Sequence, residues 1–410
     1  MNRVRSVDIL RGFSLICMVL IHFIIYWGND AAMHTWLYFA FNDLLADWGA
    51  AGFLMMMGIS QVLSAAKTPD AGAMVLFKKA LLRSVYLFVV GLIMLGLAWG
   101  PEQIWQWDIL TLMGFATLVL YFCRFLPSWL ILVIGAAIAL ATPWLRGLVD
   151  PAATWGGAFL PTPFISDYLP GLFVEPAHEF PSVWRLDMIL QGFLISGTFP
   201  VFPWLIFPLV GCVFGRRIVA QRFQQDLPLL MGVGIVAIVG GLAGAFASLG
   251  RPTLSVVAEY IAPLSFYPDS FTMLLCQLGV AFVVFSILYY WYDVRPRDEE
   301  KIGFFHRLFN RTSRYSLTFY FLHYQLIGWP LLIVYAFTGA YLIFDFIDAW
   351  AALLSGLVAV TFLEWLLVLW ERHGGKYSLE WLLAVLTARL VKADVAMPDV
   401  HAVVDRAPRA

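Results

Sequence analysis

Ten apolar runs recur along the chain, near residues 9–28, 45–66, 77–99, 105–123, 127–145, 197–215, 227–249, 271–292, 314–336 and 350–371. Each approaches the roughly 20 residues that carry a helix across a hydrocarbon core of about 30 Å. Within that core the backbone has no water to bond, so such runs fold as helices. Composition agrees: 61% of the 410 residues are hydrophobic and 13% charged, too little charge to cover a water-soluble domain, where about 25% is usual. The expectation is an all-α polytopic integral membrane protein with about ten transmembrane helices.

The loops predict an orientation. If the N-terminus is cytoplasmic, 23 of the 26 Lys and Arg residues fall in cytoplasmic segments, leaving only Arg146, Arg185 and Arg251 outside. The positive-inside rule then puts both termini in the cytoplasm. No small-residue cleavage site follows the first apolar run, so it is expected to be a retained span. The segment 146–195 carries six prolines and is too polar to span; it is expected to form a long outer loop, a lid or recognition surface. Residues 1–376 are expected to form the membrane domain. In 377–410, YSLEWLLAVLTARLVK predicts an amphipathic helix against the inner leaflet, followed by a flexible cytoplasmic tail. Cys17, Cys123, Cys212 and Cys276 lie inside predicted spans without ligand spacing, so neither disulfide nor metal is expected. A net charge of −1 excludes the basic footprint of a nucleic-acid binder. The partners expected are a lipid bilayer and small molecules, and the apolar exterior leaves a homo-oligomer open.

The first span, RGFSLICMVLIHF (11–23), has Arg11 and His22 eleven residues apart. At 100° per residue that is about 20° past three turns, so both share one face, roughly 16 Å apart. Asp8 is one turn before Arg11 and can pair with it. A histidine inside a membrane is costly and points to function. Its neutral ring can take a proton from a hydroxyl or amine, whereas a guanidinium suits a phosphate. An extended acyl-coenzyme A, with phosphates at the surface and its thioester deeper, would fit that separation.

RSVDILRG (5–12), followed by Arg-X10-His, resembles the opening of the transmembrane acyltransferase superfamily, which includes the acyltransferase-3 membrane proteins and the heparan-α-glucosaminide N-acetyltransferase type. ADWGAAGFLMMMGIS (46–60) resembles the second-helix signature of the heparan type, with Asp47, Gly58 and Ser60 on its pattern. FPVFPWLIFPLVGCVFGR (199–216) and SRYSLTFYFLHYQ (313–325) are similar to two later helices of that branch. The resemblance implies transfer of an acyl group, usually acetyl, from cytoplasmic acyl-CoA to a sugar or other acceptor across the membrane, without a metal, and a place in the bacterial inner membrane. The branches differ over the catalytic histidine. The acyltransferase-3 pattern points to His22; the heparan pattern points to a first-loop histidine, here His34, and this chain has both. Asp47 is then expected to orient a histidine.

Asp108, at the start of the fourth span, reads either as a helix cap or as a carboxylate facing the acceptor. His323 falls near mid-membrane and needs a polar partner, with Tyr320 and Gln325 nearby in sequence; it too is a substrate-contact candidate. For the donor's phosphates the leading candidates are Arg11, Arg83 and Arg314. Intramembrane His and Arg would also suit a proton-coupled transporter, a reading weakened by the absence of a visible repeat.

Overall fold

A computed structural model describes residues 3–38, 40–41, 45, 47–68, 70–149, 185–248, 261, 264, 266, 269–295, 303–340 and 342–391. Their regular structure is helical: α1 (Arg5–Trp27), α2 (Asp47–Ala66), α3 (Ala73–Trp99), α4 (Ile109–Cys123), α5 (Ser128–Arg146), α6 (Ile206–Val219), α7 (Phe223–Ser248), α8 (Phe271–Tyr289), α9 (Phe304–Arg314), α10 (Ser316–Thr338), α11 (Ala349–Arg372) and α12 (Leu379–Val391). Nine stretches among the described residues are long and apolar enough to cross a membrane. The chain is an all-α polytopic membrane protein.

The fourth expected span, α4, falls outside those nine: it is only 15 residues long, about 22 Å. Its start is fixed by Asp108, whose carboxylate accepts the Leu110 N–H at 3.0 Å, while Trp107 takes a left-handed conformation (φ 62°) that stops the helix extending backwards. The carboxylate is therefore carried inside the bundle, where Asp108 is 2% exposed. The sixth crossing starts earlier than its apolar run suggests. It begins with a helical turn at Leu186–Gln191 and continues, with a break before Val201, into α6. Most of the 146–195 segment, expected to form a lid or recognition surface, lies outside the described residues, as does the tail from 392.

α1 is the axis of the bundle, packed against α2, α8, α9, α10 and α11. Without a hydrophobic drive between helices in lipid, close contact needs small residues, and the α2–α6 seam has them. A Cβ added at Gly58 would sit 2.2 Å from the Pro208 carbonyl oxygen, and one at Gly211 2.1 Å from that of Met55. Gly12 likewise lets α1 meet the backbone of α9 at Phe309. By contrast α7 presents Val233, Ile235, Val236, Val239 and Phe246 outward, as a lipid-facing helix should. All four cysteines are free and buried.

α12 does not lie free along a surface. Its Glu380 carboxylate accepts the Leu317 and Thr318 N–H groups at 2.7 and 3.1 Å and the Thr318 hydroxyl at 2.5 Å. These are N–H groups that the first turn of α10 leaves without intrahelical partners, so one side chain both caps α10 and docks α12.

Candidate active site

Five polar residues, from two helices and one helix cap, converge in the bundle. On α10, Tyr320 and Tyr324 stand one turn apart on one face, and both hydroxyls donate to Asp108 Oδ2, at 2.7 and 3.3 Å. Asp108 Oδ1 meanwhile caps α4, so this carboxylate is both a cap and a member of the cluster. Between the tyrosines in sequence, His323 is fully buried. Its Nδ1 bonds the Tyr320 carbonyl one turn back, and its Nε2 lies 3.0 Å from His22 Nδ1 on α1. The two imidazoles stack with centroids 5.2 Å apart, and Tyr324 and Tyr26 pack against the His22 ring. Gln325 points elsewhere, donating to the Met94 carbonyl at 3.2 Å.

His22 is only half-buried because it faces a cavity of about 60 Å³. The walls are apolar, from Leu15, Met18, Ile21 and Ile25 on α1 and Ala50 and Phe53 on α2, closed by Ile109, Phe199 and Phe266. Polar groups enter from His22, Tyr320 and Ser14. Among the described residues Ser14 Oγ has no hydrogen-bond partner, an orphaned hydroxyl of the kind that a bound polar atom satisfies.

A second, larger cavity of about 740 Å³ opens further along α2, on Gln61, Val62, Ser64 and Ala65. From Phe53 to Gln61 is eight residues, about 12 Å along the helix. Its charged lining is Lys67, Lys79, Arg83, Arg124 and Arg216 with one carboxylate, Glu380; α12 supplies Leu383, Ala384, Thr387 and Ala388 as a wall. Glu380 is committed to α10, and burial pushes its carboxyl above the ordinary range. Arg216 donates to the Cys123 and Leu126 carbonyls at 2.6 and 2.7 Å, closing the C-terminal end of α4. Lys67, Lys79 and the buried Arg83 Nε have no side-chain hydrogen-bond partner among the described residues. Five cations face one space of ligand size, an arrangement that could hold a polyanion.

The remaining expected residues are distributed as follows. Arg11 donates to Ser60 Oγ, beside the Gln61 that lines the cationic cavity; Asp8, expected to pair with it, instead takes Arg3 and the Ser313 hydroxyl. Arg314 is paired with Glu371 at 3.1 Å and does not line that cavity. His34 follows the short helix Asp30–Met33 on an exposed turn and lines neither cavity. Asp47 opens α2, and its side chain lies outside the described residues. Sequence reasoning missed Lys67 and Arg124 as cavity residues, because singly placed basic residues at span ends read as topology signals. It missed Glu380 because helix periodicity alone placed α12 on the bilayer.

The four quoted sequence stretches meet in space. Arg11 reaches Ser60, Asp8 reaches Ser313, and Gly211 packs on Met55. Residues 3–256 match the family described as heparan-alpha-glucosaminide N-acetyltransferase, catalytic. No curated protein matches the chain.

Proposed function

Since the chain belongs to the heparan-alpha-glucosaminide N-acetyltransferase catalytic family and is thus a membrane acetyltransferase, we propose that it moves an acetyl group from cytoplasmic acetyl-CoA to a sugar or other acceptor across the membrane. The observation that carries the reading is the pair of cavities on α2, one cationic, the other apolar and faced by His22. The charge asymmetry of the loops supports a cytoplasmic position for the cationic one, on the side of both termini.

Acetyl-CoA supplies an activated acyl group as a thioester. Lys67, Lys79, Arg83 and Arg124 would hold its phosphates, and Arg11, tied to Ser60, adds positive potential behind Arg83. His22 has Nδ1 engaged by His323, which leaves Nε2 to take the proton from the acceptor's amine or hydroxyl. As that proton leaves, the acceptor atom bonds the thioester carbonyl carbon, the C–S bond breaks, and the departing thiolate takes the proton back from the His22 imidazolium, which returns His22 to its neutral form. The apolar walls around His22 keep water from competing for the acyl group. Asp108 supports the arrangement by fixing α10 through Tyr320 and Tyr324.

The test uses the purified protein in nanodiscs with radiolabelled acetyl-CoA and a panel of amino sugars and hydroxylated glycans. Binding, CoA release and acceptor labelling are followed for wild type, His22→Gln and His34→Gln. The reading expects binding in all three and loss of transfer, about 10²-fold or more, in His22→Gln alone. Label retained on the protein in a His22-dependent manner would replace general-base transfer by attack of Nε2 on the thioester. Failure of wild type to bind acetyl-CoA would sink the donor assignment.

A further inference from the structure

The hydrogen bonds through the two imidazoles fix where the protons are. A carbonyl oxygen can only accept, so His323 Nδ1, bonded to the Tyr320 carbonyl, carries a hydrogen. His323 is wholly buried, and among the described residues no carboxylate contacts either ring; Asp108 is occupied by Tyr320, Tyr324 and the Leu110 N–H. A neutral His323 with Nδ1–H has a lone pair at Nε2. His22 Nδ1, at 3.0 Å from it, must therefore donate, and a neutral His22 that donates from Nδ1 is bare at Nε2.

We infer that His323 is a positioning residue that holds His22 in the Nδ1–H tautomer, through the chain His22 Nδ1–H to His323 Nε2 and His323 Nδ1–H to the Tyr320 carbonyl, so that His22 Nε2 is the basic atom. The inference rests on the reading of His22 as the base. The opposite tautomer would present an N–H to the acceptor and could take no proton. When Nε2 is protonated, the new imidazolium donates from Nδ1 to His323, a charge-assisted bond stronger than its neutral counterpart. The His323 lone pair thus serves the orienting purpose that a carboxylate serves in a Ser-His-Asp triad, without placing a second charge beside the first. Helix periodicity explains the geometry. Tyr320 and His323 are three residues apart, so a backbone carbonyl and a ring from one turn are in register. The titratable groups around the pair are Tyr26 from α1, Tyr320 and Tyr324 from α10, and Asp108 at the start of α4.

The inference is tested with protein carrying ¹⁵N-labelled histidine in nanodiscs, the His22 signal being assigned by its loss in His22→Gln. The tautomer is read from the ring-nitrogen shifts, and CoA release is measured in parallel. Wild type is expected to show His22 protonated at Nδ1. His323→Leu, which fills the space but accepts no hydrogen bond, is expected to give mixed tautomers and a kcat lower by about 10²-fold, with acetyl-CoA affinity unchanged. His323→Gln, whose carboxamide oxygen can accept from His22, is expected to keep the tautomer and stay within about tenfold of wild type. A wild-type His22 protonated at Nε2 overturns the inference, whatever the variants do. So does a His323→Leu protein with wild-type tautomer and turnover. If His22→Gln still turns over, the assignment of the base fails instead, because the tautomer measurement does not depend on catalysis.

Discussion

Arg83 lines the cationic cavity with its Nε buried and without a hydrogen-bond partner among the described residues, and it feels the like charge of Arg11. Replacing it by methionine keeps the stem and removes the guanidinium. Two effects of opposite sign follow. With no ligand bound, the variant sheds a desolvated charge and its repulsion from Arg11, so its unfolding free energy should rise, by about 1 kcal/mol or more for a single unsatisfied buried polar group. With acetyl-CoA, it loses one charge-assisted hydrogen bond to a phosphate, about 2 kcal/mol, a roughly 30-fold weaker Kd at 1.36 kcal/mol per decade. At a donor concentration of 100 times the wild-type Kd, binding adds about 2.7 kcal/mol to wild-type stability; at that same concentration the variant gains only about 0.9 kcal/mol. Denaturation midpoints of both proteins in nanodiscs, with and without acetyl-CoA, measure all four states, and calorimetric titration gives Kd directly. A variant that is less stable without ligand and binds acetyl-CoA with unchanged Kd would refute the reasoning, showing Arg83 to be a structural cation.

Asp108→Asn retains an oxygen to cap α4 but weakens two tyrosine hydrogen bonds to a charged acceptor, so the unliganded protein should lose about 1–3 kcal/mol of stability, read from its denaturation midpoint. Gly58→Ala places a methyl where the Pro208 carbonyl oxygen is 2.2 Å away. Because both partners are helix backbone, α2 and α6 must separate, and overpacking of about 1–3 kcal/mol should appear as a broadened or lost monodisperse peak in detergent chromatography. Burial raises the Glu380 carboxyl above its ordinary range, so its contribution to folding is present at low pH and is lost as the pH rises through that raised value. Glu380→Gln cannot ionise; its stability relative to wild type should therefore improve from pH 5 to pH 8, and a flat difference would contradict the shift.

The spans, the cysteines as core residues and the family were legible in the chain because hydropathy adds up locally and the signature residues are clustered. Arg11 and His22 on one face followed from helix periodicity alone. Asp108 could be flagged, but not resolved between cap and cluster, since both roles call for the same residue at the same place; the tyrosines that settle it arrive from 212 and 216 positions away. His323 needs polar partners: of the two near candidates Tyr320 supplies its carbonyl while Gln325 turns to Met94, and the second partner is His22, 301 residues distant. Arg83 was legible as a phosphate candidate, but the cavity as a whole was not, for a similar reason: Lys79 and Arg83 come from α3, Arg216 from α6, and Lys67 and Arg124 from the turns after α2 and α4, each resembling an ordinary topology signal.

Sequence by itself determined what crosses the membrane, because the bilayer imposes one length and one hydropathy on every span. Which faces meet was decided only by the tertiary structure. Lipid-facing and helix-facing surfaces are equally apolar, so neighbours are selected by glycine seams, a carboxylate reaching a helix end and single hydrogen bonds between distant rings, none of which leaves a periodic trace in the chain.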